Sequence, residues 1–199
     1  EILRELYRPL HLIETPAVVV NVRTAELIKY ASNAFLAIKI SFINEVANLC
    51  EAVDADVHDV ARAMGLDRRI GPKFLHPGPG YGGSCLPKDT HAMRAFSRKA
   101  GVRLRVVEAA IETNDAQHQV ATKKVLAALG GRGKRVAAVL GLSYKPDTDD
   151  LREAPSLTII RSLLRKGIAI RAYDPAVRAD AEGLPRGLHF AQNPYDAVK

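Results

Sequence analysis

The chain has 199 residues, 47% of them hydrophobic and 26% charged, and its 29 basic and 22 acidic side chains give a net charge of +7. This composition excludes bulk disorder, collagen and low-complexity classes, and with no apolar run of about 18 residues no membrane-spanning helix is expected. The positive charge favours an anionic partner without naming one, whereas no Trp, five Phe and six Tyr argue against a base-stacking nucleic-acid binder.

In chain order, residues 1–16 read as the tail of a preceding unit. Ala17 to Val22 form a β-branched run that predicts a short strand or extended entry. Thr24 is a candidate helix cap with Glu26 in the first turn, and the segment to about Val53 has no Gly or Pro and is apolar on most sides, which predicts a buried helix. Asp56, with Asp59 three residues on, opens a short helix closed by Gly65. The stretch GPKFLHPGPGYGG, residues 71–83, holds five Gly and three Pro and must be a shaped loop. Helical pattern returns from Asp89 to about Ala100 and again from Val102 to about Leu129. The Gly-rich break at 130–133 marks a domain boundary. Beyond it KRVAAVLGL, SLTIIRSLLRKG and IAIRAYDP read as strand, helix and strand, a βαβ unit with a parallel sheet. The expected fold is therefore a mainly α-helical domain over 17–130 followed by a partial α/β domain over 131–199. The helical pattern resumes at the chain's end, at Asp196.

Several apparent motifs fail. GGRGKR has Ala128 where a phosphate loop needs its first Gly, and Arg135 where it needs Ser or Thr. VLGLSYK follows a strand but has a single Gly, and no GxGxxG occurs anywhere. The six His are scattered with no HExxH pair, so no metal site is expected. Two Cys without a CxxC exclude a paired-cysteine metal site and argue against a disulfide framework, so a reducing, cytoplasmic compartment is expected.

The chemistry concentrates in GYGGSCLPKD, residues 80–89. Cys85 follows a Gly-rich loop and precedes a helix starting near Pro87, whose N-terminal donors would stabilise a thiolate. Gly82 and Gly83 allow close backbone approach by a ligand. Asp89 follows Cys85 by one helical turn. The bland alternative is a buried thiol beside a structural turn, the reading that Cys50 receives between Leu49 and Ala52. Lys29 and Asn33 share a face of the first long helix at i and i+4. On an apolar helix such a pair needs a polar partner or a ligand, unless its face is the one wet stripe. SYKPDTDDLRE follows a strand and places Lys145 and Arg152 at the carboxyl end of a parallel sheet, where two cations suit a phosphate. Asp147, Asp149, Asp150 and Glu153 are available to pair with them instead.

Three segments, NAFLAIKISFINEVANLCE, DRRIGPKFLHPGPGYGGSCLPKD and GLSYKPDTDDLREAPS, together resemble the UDP-glucose 6-dehydrogenases of the UDP-glucose/GDP-mannose dehydrogenase family. The resemblance runs from about Ala17 onward and corresponds to that family's middle domain and the first half of its third. It implies that residues 1–16 are the end of a family NAD-binding domain, with the rest of that domain absent. It also implies a four-electron, NAD-dependent oxidation of UDP-glucose through a cysteine thiohemiacetal and thioester. Cys85 then matches the nucleophile, Lys29 and Asn33 the oxyanion-binding pair, and Asp89 the carboxylate that acts through water or with the lysine as a base. Phe74, Leu75, His76, Gly78, Gly80, Tyr81, Gly82 and Gly83 match the loop that wraps the sugar and phosphates. Tyr144 and Lys145 match a substrate-contacting pair, Arg152 together with Cys85 a cofactor contact, and Arg69 an arginine that crosses to a partner subunit's sugar. A homodimer through the first long helix is implied, with no nucleic acid and no membrane. GDP-mannose or another nucleotide sugar as substrate, or a non-catalytic dimerisation or binding module, remain the alternatives.

Overall fold

The computed structural model describes residues 2–7, 9, 18–130 and 135–199. Helix α1 (Ile2–Tyr7) precedes the long α2 (Val22–Val53), then come α3 (Val57–Gly65), α4 (Leu86–Lys99) and α5 (Arg105–Leu129). The α/β part follows as β1 (Val136–Leu140), α6 (Pro155–Arg165), β2 (Ala169–Tyr173), β3 (Leu188–Phe190) and α7 (Pro194–Ala197). The expected tail at 1–16 and the Gly break at 131–133 fall largely outside the described residues.

Helix α2 has 32 residues and is about 48 Å long at 1.5 Å per residue. Its cap is Asn21, whose side chain accepts from Thr24 N at 2.9 Å. Thr24 therefore lies inside the first turn and does not cap it, because the three-residue reach of a capping side chain fits Asn21. Val18 to Asn21 form no strand, since among the described residues no neighbouring strand is there to pair with. Asp56 caps α3 as expected, accepting from His58 N at 2.7 Å. Gly65 is not in the left-handed region. A Cβ there would lie 2.9 Å from Pro72 Cα, so Gly65 permits close chain approach. Helix α4 begins three residues before Asp89, with Pro87 in its first turn, where proline lacks no needed donor.

Where it meets α4 and α5 the α2 helix buries small side chains, Ala34, Ala37 and Ser41, and Ser41 Oγ donates to Ala110 O at 2.8 Å; farther along, the larger Ile43 is fully buried as well. The large α2 side chains Ile28, Phe35, Phe42 and Leu49 are exposed. Among the described residues this chain therefore covers only part of the helix that the sequence predicts to be buried. Helix α5 ties the two parts together. Val107 and Ile111 pack against Ala34, while Val125, Leu126 and Leu129 pack into the α/β core.

That core is a three-stranded parallel sheet in the order β1-β2-β3, with Val136 opposite Ala169 and Ile170 opposite Leu188. The β1-α6-β2 crossover is the expected βαβ unit. β3, of three residues, adds to the predicted elements, while the one-turn α7 falls where the helical pattern resumes at the chain's end, starting two residues earlier than expected. Leu157, Ile160 and Leu163, three residues apart on α6, bury against Ile168, Ile170 and Ala172. Each such Leu or Ile contributes roughly 1.5–3 kcal/mol by burial.

Candidate functional site

Lys29 and Asn33 meet on one carboxylate oxygen. Helix α2 presents them one turn apart, and α4 presents Asp89 in its first turn. Lys29 Nζ donates to Asp89 Oδ2 at 2.8 Å and Asn33 Nδ2 donates to the same oxygen at 2.6 Å. Asp89 is fully buried, whereas the Lys29 side chain is 62% exposed, so the lysine reaches solvent-accessible space while its partner anchors it. Burial alone would raise the Asp89 carboxyl, but the hydrogen bonds from Lys29 and Asn33, with the Lys88 ammonium beside it, outweigh it and hold the carboxyl below its ordinary value. The same bond to Asp89 holds Lys29 above the ordinary lysine value. Asp89 Oδ1 lies 3.3 Å from Lys88 Nζ without a hydrogen bond.

Cys85 is the residue before α4 and is exposed, while Cys50 is buried. The Cys85 carbonyl accepts from Asp89 N at 2.9 Å, so the first helical turn locks the two residues together. Among the described residues its sulfur caps nothing and has only Ser84 Oγ at 3.7 Å. A charge on the sulfur contributes to raising Lys29, Tyr144 and Arg152, which places all three within its field.

The Gly/Pro loop has no regular structure and its polar backbone must be satisfied by side chains. Amides from α2 and α5 do this. Asn44 Oδ1 accepts from Gly78 N at 2.8 Å, and Gln117 Nε2 donates to Gly78 O at 2.9 Å. Asn114 grips Tyr81 twice, accepting from its N–H at 2.7 Å and donating to its carbonyl at 3.1 Å. Asn48 Nδ2 in turn donates to Gln117 Oε1. Gly80 has φ +113, and a Cβ there would fall 2.8 Å from both Asn114 Oδ1 and His118 Nε2. Burial lowers the His118 pKa and leaves the ring neutral at physiological pH. The loop borders a cavity of about 400 Å³ lined by Ile40, Lys73, Phe74, His76, Gly80, Tyr81 and Tyr144. Five of the predicted substrate residues therefore share one cavity. Leu75 is buried and does not line this cavity.

The segment 141–154 docks on this loop. A Cβ at Gly82 would lie 2.1 Å from Glu153 O, and one at Gly83 2.2 Å from the Tyr144 ring, while Gly83 N donates to Glu153 O at 3.4 Å. Glu153 itself takes φ 48. Lys145 is exposed close by. Arg152 forms a bidentate pair with Asp150, Nε to Oδ1 at 2.8 Å and Nη2 to Oδ2 at 2.9 Å, which lowers the Asp150 carboxyl to about 2. The pairing with a nearby acid is thus realised for Arg152. Its Nη1 makes no hydrogen bond among the described residues, and the side chain edges a cavity of about 850 Å³ that also holds Arg161 and Arg178. Arg69 stands apart: it pairs with Asp67 and is 90% exposed, and Lys39 holds the following turn through the carbonyls of Ile70 and Gly71.

Sequence reading missed Asn44, Asn48, Asn114 and Gln117, as well as Lys73. A signal was present: Asn44 and Asn48 are i,i+4, and Asn114, Gln117 and His118 share one face of α5. Polar stripes on otherwise apolar helices need partners. Among the described residues no group of His, Cys, Asp and Glu could hold a metal ion. No helix among them is long and apolar enough to cross a membrane.

Residues 23–116 match the central domain of the UDP-glucose/GDP-mannose dehydrogenase family, and residues 138–199 match that family's UDP binding domain. The chain belongs to the UDP-glucose/GDP-mannose dehydrogenase family. It is 50% identical to UDP-glucose 6-dehydrogenase of Rhizobium meliloti over 200 residues, covering all of this chain and 46% of that protein. It is 48% identical to UDP-glucose 6-dehydrogenase TuaD of Bacillus subtilis, over 92% of this chain and 39% of that one. Among solved structures, a UDP-glucose dehydrogenase from the archaeon Pyrobaculum islandicum superposes with a TM-score of 0.89 at 38% identity, covering 97% of this chain and 44% of that chain. The chain thus spans less than half the length of these UDP-glucose/GDP-mannose dehydrogenase relatives. The fold agrees with the expected helical central domain followed by an α/β domain.

Proposed function

We propose that the protein containing this chain oxidises UDP-glucose to UDP-glucuronate, using NAD and Cys85 as covalent nucleophile. The observation that carries this reading is the convergence of Lys29 and Asn33 on Asp89 Oδ2, one helical turn from the exposed Cys85. An ammonium has three hydrogens and an amide two. With one of each spent on Asp89, two on Lys29 and one on Asn33 are left for a substrate oxygen.

In this reading Asp89 orients both donors and, staying ionised at neutral pH, takes the C6 hydroxyl proton through water. Lys29, held protonated, stabilises the oxygen as charge develops on it. NAD, when bound, supplies the hydride acceptor for both oxidation stages. At the aldehyde stage the Cys85 sulfur bonds to C6, giving a thiohemiacetal whose oxygen sits on Lys29 and Asn33. Oxidation of that carbon leaves a thioester, and water displaces the sulfur to release the carboxylate. The aldehyde never leaves the cysteine.

Arg152 would hold one edge of the dinucleotide: its Nη1 is unbonded among the described residues, on a cavity of about 850 Å³ that it shares with both basic and acidic side chains. The nucleotide sugar would lie across the cavity of about 400 Å³, beside Tyr144 and Lys145. The UDP-glucose names of the two bacterial relatives support this substrate over GDP-mannose. The units 17–130 and 131–199 act as the central and the nucleotide-sugar domains.

A homodimer through α2 belongs to the same reading. Ile28, Phe35, Phe42 and Leu49 recur every seven residues and are all exposed, a seam suited to a second copy. Arg69, exposed and outside the lining of its own chain's cavity, would then serve the partner's sugar. The test is NADH formation by the full-length protein with UDP-glucose against GDP-mannose. Turnover with UDP-glucose alone supports the reading. Turnover with GDP-mannose alone would move the substrate assignment, and none with either would favour a non-catalytic binding module.

A further inference from the structure

The turn that launches the segment bearing Tyr144, Lys145 and Arg152 is held by one carboxylate from a different strand. Asp174 follows β2 and is 5% exposed. Its Oδ2 accepts from Leu142 N at 2.7 Å and Ser143 N at 3.0 Å. Its Oδ1 accepts from Ala176 N at 2.9 Å and Val177 N at 3.1 Å. Both oxygens are saturated, and every donor is backbone.

The placement of these bonds gives them consequence. Gly141 N still follows the sheet, donating to Tyr173 O at 2.9 Å. At Leu142 and Ser143 the chain leaves the sheet, and Asp174 takes the two N–H groups that lose their ladder partners there. The next residue is Tyr144, whose ring lies against Gly83, and Tyr144 N donates to Asp150 O at 3.0 Å, closing the excursion. From the other side Ser156 Oγ donates to Leu142 O. A continuous route runs from Asp174 through the 142–143 turn and Tyr144 to the Gly83 backbone, two residues before Cys85.

We infer that Asp174 is a positioning residue for nucleotide-sugar binding, fixing the turn that aims Tyr144 and Lys145 at the substrate. The inference rests on the proposed UDP-glucose reading and goes beyond it, since Asp174 lines neither cavity with its own carboxylate spent on backbone. Burial would raise its carboxyl, but the four N–H bonds hold it below the ordinary value, so the anion is present throughout the neutral range.

The experiment uses the full-length protein with Asp174→Asn. An amide keeps the volume but turns an NH2 group toward two backbone N–H groups, so at least one pair of bonds is lost. The KM for UDP-glucose and the calorimetric Kd for UDP should both rise about ten-fold from the displaced turn, with kcat within about three-fold of wild type. Lys145→Ala added to Asp174→Asn should raise KM no further than the larger single effect, because both act through one segment. A purely structural role would instead give additive effects, or losses that follow the folded fraction, and either result overturns the inference, as does an unchanged Kd for UDP. If Asp174→Asn does not fold, Ser156→Ala, which loosens the same turn, must show a smaller rise in KM at unchanged kcat, and its absence overturns the inference. Failure of the wild type to oxidise UDP-glucose would sink the proposed function instead, and the UDP titration would still decide the role of Asp174.

Discussion

Gly83 lies directly beneath the Tyr144 ring: a Cβ on Gly83 would come within 2.2 Å of Tyr144 Cδ1. Through this contact, together with Gly82 and Gly83 N against Glu153 O, the loop carrying Cys85 and the segment carrying Lys145 set each other's position. Gly83 also has φ +78, a conformation an L side chain holds only with strain.

Gly83→Ala should therefore act twice. The left-handed backbone costs roughly 1–3 kcal/mol, and the methyl group must push the Tyr144 ring aside. The expected result is a lower denaturation midpoint together with a raised KM for UDP-glucose. An unchanged KM would show that the Tyr144 contact is incidental to binding.

Asn114→Ala tests the amide grip on the loop. It removes both bonds to Tyr81 and leaves a buried N–H and a buried carbonyl unsatisfied, each worth about 1–3 kcal/mol. Urea unfolding should report a loss of about 2–4 kcal/mol, near the sum of the lower estimates. A loss below about 0.5 kcal/mol, the level of an ordinary surface substitution, would mean water replaces the amide freely.

How much of this was legible before folding differs by feature. The Cys85, Lys29, Asn33 and Asp89 set could be read because unusual residue types crowd short segments, and helical spacing places them on a face. Asn44 and Asn114 could not be tied to Gly78 and Tyr81, because those contacts span 34 and 33 residues and nothing local marks them. Asp174 falls in IAIRAYDP, which reads as strand; its role emerges only when β2 lies beside β1. The exposed face of α2 was hidden for a different reason. A helix apolar on most sides does not declare which side its own chain covers, and the division between buried Ala34, Ala37 and Ser41 and exposed Phe35 and Phe42 appears only in the packing. Strand β3, at three residues, is too short to carry a periodic signal.

The ionic pair in the site has a defined pH dependence. Asp89 titrates below its ordinary value of 3.8 when folded, so its contribution to stability is complete above that value and is lost as pH falls through the lowered folded pKa. Asp89→Asn should therefore be less stable than wild type at pH 7, with the difference shrinking at pH 3 and below. A difference that stays constant with pH would show that the charge of Asp89 is immaterial. Lys29 is shifted upward, so the ammonium contributes no alkaline loss of activity below the ordinary lysine range.

The seven-residue seam on α2 predicts self-association. Light scattering should find a species near twice the chain mass of 21.7 kDa, and Phe35→Glu with Phe42→Glu should shift it to the monomer. A monomeric wild-type chain would remove the argument for Arg69 serving a partner's site.

The central claim is that Cys85 captures the oxidised sugar carbon, and one measurement addresses it directly: NADH formed per UDP-glucose by full-length Cys85→Ala beside wild type, with UDP-glucose affinity measured on the same samples. Wild type should form two NADH per UDP-glucose, and the variant should give no net oxidation to the carboxylate at near wild-type affinity, because the thiol supplies a covalent bond and little ground-state binding. Turnover by Cys85→Ala at close to the wild-type rate would contradict covalent capture and make the cysteine a structural residue of the loop.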